Sequence, residues 1–399
     1  MAAISLTACG SKDDSSGANK TEIKYFSFSA SPDYEEPLKK MVADFEKENP
    51  KIKVDIELAP YDTYFTKLQT LLAGGKAPDV YEMNYENFVS YAAKGQLLDV
   101  SDKTKDLDLT NINEMAFNAY SYQGKQYGLT ESFSNVVTFY NKDLFDKAGV
   151  KYPTSDWTWE DETEAAKKLT DAGAKVYGTY SPITMNEFYK VAAQNGGSIY
   201  DKDGKLTINS QENIDALQHM VDLVTKQKVT PSPAEMSGQN SEDLFMNGQL
   251  AIVHTGIWMF GTFKDAPFKW DIQVEAGNIN KATHFFANGL VIDKDTKKAD
   301  AAYKFAEFMS TSDTASKLRV DNSWDLPINT SDAVLKPYLE QTPPSNREAV
   351  FKSLDYLVLP PATEDWAKLS ATADQEFEKV VLGKASAKEA LDSLQKQFQ

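Results

Sequence analysis

Ile52-Lys-Val-Asp-Ile-Glu-Leu58 alternates apolar and polar side chains without a break. In an extended chain successive side chains point to opposite faces, so this stretch reads as a strand with one buried face. Working outward toward the amino terminus, Leu38, Met41, Val42 and Phe45 recur at i, i+3, i+4 and i+7, the spacing of a helix, and Asn49-Pro50 stops it. Before that helix, Glu22–Phe28 carries Ile23, Tyr25, Phe26 and Phe28, residue types that suit a strand. On the other side Phe65, Leu68 and Leu72 mark a second helix, closed by Gly74-Gly75, and Pro78–Met83 returns to strand. Strand, helix, strand, helix, strand implies right-handed crossovers and mostly parallel sheets flanked by helices, the α/β class.

The pattern resumes further along. Asn135–Tyr140 reads as a buried strand, and Thr158 with Asp161 three residues on caps a helix that ends at Gly173. Ser210 opens a helix carrying Ile214, Leu217, Val221 and Val224; Leu250–His254 is a strand; Ala302, Phe305, Ala306 and Met309 stripe another helix. Ser386 and Glu389 form a capping box before Leu391, Leu394 and Phe398. Asp201-Lys-Asp-Gly204 starts like a calcium loop but misses its spacing, so it reads as a hairpin turn before Lys205–Ile208. From Glu22 to Gln399 there is neither a repeat nor a Pro/Gly-rich linker. Two lobes sharing strands by more than one crossing would explain both.

Composition narrows the function. Lys and Arg number 42 against 59 Asp and Glu, a net charge of −17, and binding the nucleic-acid backbone needs clustered positive charge, so no nucleic-acid partner is expected. No 18-residue apolar run spans a bilayer. One cysteine, Cys9, forms no intrachain disulfide and no thiolate cluster. Only Arg319 and Arg347 are arginine, the preferred fork for carboxylate or phosphate, which favours a neutral ligand. His219, His254 and His284 are the only histidines, none at metal-ligand spacing with another, and no G-x-S-x-G elbow or phosphate loop occurs. These absences shift the expectation toward a binding protein without metal or cofactor, while the 59 acidic residues leave a glycosidase built on paired carboxylates open.

Residues 1–9 end in Leu6-Thr7-Ala8-Cys9, an apolar stretch closing on small residues like the tail of a secretory signal. It resembles the bacterial lipobox, in which the cysteine is lipidated. Gly10–Thr21 is nearly devoid of apolar residues and reads as a flexible spacer. Residues 1–21 are thus read as signal remnant, lipobox and linker.

At Leu68-Gln-Thr-Leu-Leu-Ala-Gly-Gly-Lys-Ala-Pro-Asp-Val80 the chain resembles family 1 extracellular solute-binding proteins of ABC importers, the maltose-binding-protein-like group. Four further blocks fall in family order: Gly124–Leu129 leading into Tyr140-Asn-Lys-Asp-Leu-Phe145; Asp156-Trp-Thr-Trp-Glu160; Leu244–Gly248 running to Gly256-Ile-Trp258; and Asn288-Gly-Leu-Val-Ile292. The resemblance implies a two-lobed periplasmic-binding-protein-like fold hinged at several crossings, placed near Glu131–Asn135, Asn288–Ile292 and Trp324–Pro327. Residues 22–133 with 289–326 would form the N-terminal lobe, and 134–288 with 327–399 the C-terminal one.

Sugars offer apolar C–H faces to flat rings and hydroxyl rims to amides and carboxylates. The candidate stacking residues are Trp258, Trp366 and Trp324; the candidate polar contacts are Asp325, Asn84, Glu86, Glu131, Asn135, Tyr34 and Asn288. Relatives that bind maltodextrins carry tryptophan where this chain has Met83, which argues against a simple maltose specificity. The resemblance implies a monomeric receptor, lipid-anchored through Cys9 on the extracellular face of a Gram-positive membrane, that delivers a neutral sugar or short oligosaccharide to an ABC permease. Two rivals stay open: the same scaffold binding a polyol, polyamine or glycerol phosphodiester, and a surface glycosidase using two of the many carboxylates.

Overall fold

The computed structural model describes residues 20–30, 32–361 and 363–399; Cys9 and the tether up to Asn19 lie outside the described residues, and Thr21, assigned to the end of the linker, instead opens the first strand by pairing with Ile52. Its strands are β1 (Thr21–Ser27), β2 (Ile52–Leu58), β3 (Val80–Asn84), β4 (Ser121–Tyr122), β5 (Lys125–Gln126), β6 (Gly128–Asn141), β7 (Ile252–Gly256), β8 (Trp270–Gln273), β9 (Thr283–Ile292) and β10 (Leu357–Val358). Eight form one sheet in the order β2-β1-β3-β9-β6-β7, with β8 beside β6 and β10 beside β9; β4 and β5 make a separate hairpin.

The pairing is mixed where the sequence pattern implies mostly parallel sheets. β1 runs parallel to β2 and to β3, as their crossover helices Pro32–Glu48 and Tyr61–Ala73 require. β9, however, is antiparallel to β3 and β6, and β6 is antiparallel to β7 and β8. The cause is the two long strands. β6 spans 14 residues, all buried, and β9 spans 10; neither closes a crossover unit. The first half of β6 pairs with β9 and the second half with β7 and β8, so one strand serves two neighbourhoods of the sheet. The segments Glu131–Asn135 and Asn288–Ile292 lie within β6 and β9. The third, Trp324–Pro327, lies beside the first, with Phe133 and Leu326 exchanging backbone bonds of 2.8 and 2.9 Å.

Local chemistry sets the helix ends. Thr158 and Asp161 close the capping box expected of them, as do Ser386 and Glu389. The first of these helices stops at Leu169 rather than Gly173, because Thr170 turns to extended backbone. Apolar side chains gather in three clusters. The largest joins Phe26, Phe45, Leu290 and Phe305 to Phe139, Phe263 and Trp270; a second packs Phe188, Leu217, Trp366, Phe377 and Leu391; a small third holds Tyr140, Phe145, Leu169 and Ile252.

Candidate ligand-binding site

Strand alternation puts His284 and Phe286 of β9 on one face, Phe285 and Ala287 on the other. The first pair belongs to a continuous row of rings. Trp366 meets Tyr189 edge-on at 6.0 Å and Tyr189 meets His284 at 5.1 Å; His284 stacks on Phe286 at 5.0 Å, and Phe286 meets Trp258 at 5.7 Å. Trp366, Tyr189 and His284 are buried, whereas Phe286 and Trp258 are partly exposed, so the row opens at the Trp258 end. Trp258 folds back after β7 because position 256 is glycine: a Cβ there would stand 1.8 Å from its ring. The Trp258 carbonyl accepts a 2.7 Å bond from the Tyr34 hydroxyl, which arrives from the helix Pro32–Glu48.

Polar groups face this row. Asn84 ends β3, opposite Asn288 in the ladder, and its amide donates to the Tyr61 hydroxyl at 2.9 Å. Two residues on, the Glu86 carboxylate has its Oε2 buried without a partner, and burial pushes its pKa up to about 7. The Tyr189 hydroxyl is likewise buried and unpartnered; burial and then the Glu86 charge raise its pKa well above the usual phenol range. His284 donates from Nε2 to the Asn186 carbonyl at 2.7 Å, burial pulls its pKa down, and its neutral Nδ1 is a third buried atom without a partner. Buried polar groups are normally satisfied. Three such atoms along one row of rings have no partner among the described residues.

Beside this row the third crossing is tightly held. Trp324 lies between the Tyr34 ring, stacked at 4.6 Å, and the Arg319 guanidinium, 4.4 Å from its centroid. Both faces of the indole are therefore covered. Its neighbours Ser323 and Asp325 are left-handed, with φ of 51° and 55°, uncommon for residues other than glycine. Arg347 Nη2 donates to Ser323 Oγ at 3.1 Å, with its guanidinium between Phe260 and Tyr338. Arg319 Nη2 donates to Glu131 at 2.7 Å. Three carboxylates meet here: Glu131, Glu82 and Asp325. Burial raises the pKa of each, and Asp325, 4% exposed with Oδ1 unpartnered, reaches about 7.

A small cavity of about 50 Å³ is lined by Glu162, Glu187, Lys190, His254 and Glu275 among others, room for a few waters rather than a sugar. His254 bonds Glu162 at 2.8 Å and Glu275 at 3.1 Å; Lys190 bonds Glu275 at 2.5 Å and Glu187 at 2.6 Å. Burial pulls the His254 pKa down, but the two carboxylates outweigh it and raise it to about 10, so the ring is an imidazolium donating to both. Lys190 adjoins Tyr189, and this network fixes the helix Met185–Gln194 that carries both. Among the described residues no group of three or more His, Cys, Asp or Glu is placed to hold a metal ion.

The structure brings Trp258, Trp366, Asn84, Glu86, Asn288 and Tyr34 around the row. It places Glu131, Trp324 and Asp325 together in the clamp on the third crossing. Asn135 is fully buried, its amide donating to the Val350 carbonyl at 2.9 Å. The candidate contacts read from sequence lack Tyr189 and Phe286, and also His284 and Arg319, which enter there only as a histidine without metal-ligand spacing and as one of two arginines. The signal available was the run Thr283-His-Phe-Phe-Ala287, with aromatic rings on both faces of one strand.

The model of the family described as bacterial extracellular solute-binding protein matches residues 31–316. The chain is 58% identical to an ABC substrate-binding protein from Listeria monocytogenes solved in complex with cycloalternan, with a TM-score of 0.92, covering 95% of this chain and 98% of that one. It is 28% identical to the arabinooligosaccharide-binding protein of Bacillus subtilis, over 78% of this chain and 74% of that protein. It is 26% identical to a maltooligosaccharide ABC transporter solute-binding lipoprotein of Streptococcus pneumoniae, over 83% and 78% of the two chains. With the two-lobed α/β fold that these likenesses carry, the chain belongs to the bacterial extracellular solute-binding proteins.

Proposed function

We propose that this protein captures a neutral oligosaccharide between two lobes and hands it, unchanged, to an ABC permease. The observation that carries this reading is the row of rings from Trp366 to Trp258, bordered by the unpartnered Glu86, Tyr189 and His284 atoms. Rings cover the apolar faces of pyranoses, and the orphaned polar atoms take their hydroxyls. Cycloalternan in the 58% identical Listeria protein, and the oligosaccharides named for the Bacillus and Streptococcus relatives, support the same ligand class. The lobes are residues 22–133 with 289–326 and 134–288 with 327–399. The ligand binds the closed state better than the open one, and that difference drives closure. Tethering through a lipidated Cys9 on the extracellular face, as a monomer, completes the proposal; the solute-binding lipoprotein among the relatives supports it.

A thermal-unfolding screen across cycloalternan, maltooligosaccharides, arabinooligosaccharides, polyols and polyamines tests it. A ligand at about a hundred times its Kd stabilises by about 2.7 kcal/mol. One oligosaccharide class should raise the unfolding temperature and be recovered chemically intact. Stabilisation by a polyamine alone, or cleavage of the sugar, would overturn the reading. Trp258→Ala should weaken binding by about 1 kcal/mol or more, one lost stacking contact.

A further inference from the structure

The aromatic row does not end at Trp366. Tyr189 also lines a groove of about 510 Å³, bounded by Ser198 and Tyr200 on one side and by Val358, Leu359 and Thr363 on the other. One wall is the hairpin that turns through Asp201–Gly204; the other is the segment leading from β10 into the helix Trp366–Val381. The groove is within the range of about 300–1,000 Å³ of small-molecule sites by itself, apart from the space beside Trp258. Among the described residues no charged side chain lines it. Apolar Val358 and Leu359 and the Tyr200 ring alternate with the hydroxyls of Ser198 and Thr363, and Thr363 Oγ1 is buried without a partner. Leu359, part of this lining, is 43% exposed.

Resting on the oligosaccharide reading above, we propose that this groove is an outer subsite that takes further rings of the same oligosaccharide. Tyr189 is the shared wall between the two regions: its ring meets His284 and Trp366 of the row, and it also lines the groove. The uncharged lining, with apolar surfaces for C–H faces and hydroxyls for the rim, matches a neutral sugar and offers no grip to a phosphate or an amine. Ligands long enough to reach Tyr200 and Leu359 are thereby selected over disaccharides.

Isothermal titration of the full chain with cycloalternan as the large probe, and maltose and isomaltose as short ones, tests this. Two variants attack the groove in opposite ways: Tyr200→Ala removes a wall and Ser198→Trp fills the space from an exposed position. Each should weaken cycloalternan about fivefold or more, with disaccharide affinity unchanged, whereas Trp258→Ala should weaken every saccharide that binds. Unchanged cycloalternan affinity in both groove variants, or an equal loss for short and long ligands, overturns the subsite and leaves the receptor reading intact. Absence of binding to any saccharide by the wild-type chain overturns both. Unfolding midpoints within experimental error of wild type establish that the variants are folded.

Discussion

Asp325→Asn isolates what the charge at the third crossing costs. The carboxylate is 4% exposed, one of its oxygens has no partner, and burial raises its pKa from 3.8 to about 7 despite the favourable charge of Arg319. A folded-state value above the unfolded one means that the native state binds the proton more tightly, so the contribution of this group to stability is greatest at low pH. It falls as pH rises from about 4 to about 7, and the full cost remains above that. A rise of about three pH units at 1.36 kcal/mol each is about 4 kcal/mol. Asparagine has the same shape, tolerates the left-handed φ of 55°, and never ionises. The variant should therefore match wild type near pH 4 and exceed it by about 4 kcal/mol at pH 8, a midpoint shift of about 5 °C for a chain of this length. Denaturant unfolding at several pH values, followed by tryptophan fluorescence, measures it. A stability difference that does not change with pH, or a variant less stable than wild type at pH 8, refutes the reasoning. Titration with cycloalternan in the same samples separates roles: unchanged affinity assigns Asp325 to the crossing alone.

Three more outcomes follow from the same structure. Arg319→Met leaves Glu131 without its 2.7 Å partner and uncovers one face of Trp324; it should cost about 3–5 kcal/mol at pH 7.5 and less as pH falls and the carboxylates whose pKa burial raises take up protons, as denaturant unfolding will show. Glu86, raised to about 7 by burial, accepts hydroxyl bonds best when ionised, so oligosaccharide affinity should rise as pH increases through 7, and Glu86→Gln should flatten that profile in titration calorimetry. His254, raised to about 10, contributes stability that is complete below about pH 6.5 and is lost as pH climbs to 10; the alkaline decline, up to about 1.4 kcal/mol per pH unit, should be absent from His254→Gln in unfolding experiments.

What pattern could reveal was local. The alternation of Ile52–Leu58 and the capping boxes at Thr158 and Ser386 depend on neighbours a few residues away, and the structure has a strand and caps at those places. The direction of the sheet beyond β3 was not legible, because a strand carries no mark of which way its partner runs. Tyr189 was hidden for a related reason. It sits beside Phe188 on the helix Met185–Gln194, which is buried nearly all round, so no exposed face singled it out. Trp324 shows the limit from the other side. An aromatic ring near a crossing is readable as a stacking surface, but what covers that ring is not: Tyr34 lies 290 positions away in the chain. Counting arginines pointed to an uncharged ligand. The structure adds that both of them are buried against carboxylates, rings or backbone.

The third crossing concentrates features that each oppose folding: two left-handed residues that are not glycine, and three buried carboxylates served by one arginine. Left-handed backbone at such residues costs about 1–3 kcal/mol each, and persists only where the surroundings over-determine it. Arg347 on Ser323 and the Tyr34–Trp324–Arg319 stack supply that determination. Tyr34 is the element that gives the arrangement a use. Its ring is fixed by Trp324, and its hydroxyl is bonded to the carbonyl of Trp258, the open end of the aromatic row. A softer crossing built from glycine and uncharged residues would be more stable, yet it would leave the Tyr34 ring free to rotate and the Trp258 backbone without a fixed donor. The expense of the clamp is thus explained if the quantity being set is the position of Trp258 relative to the crossing, since a stacking surface binds a sugar well only when it is already in place.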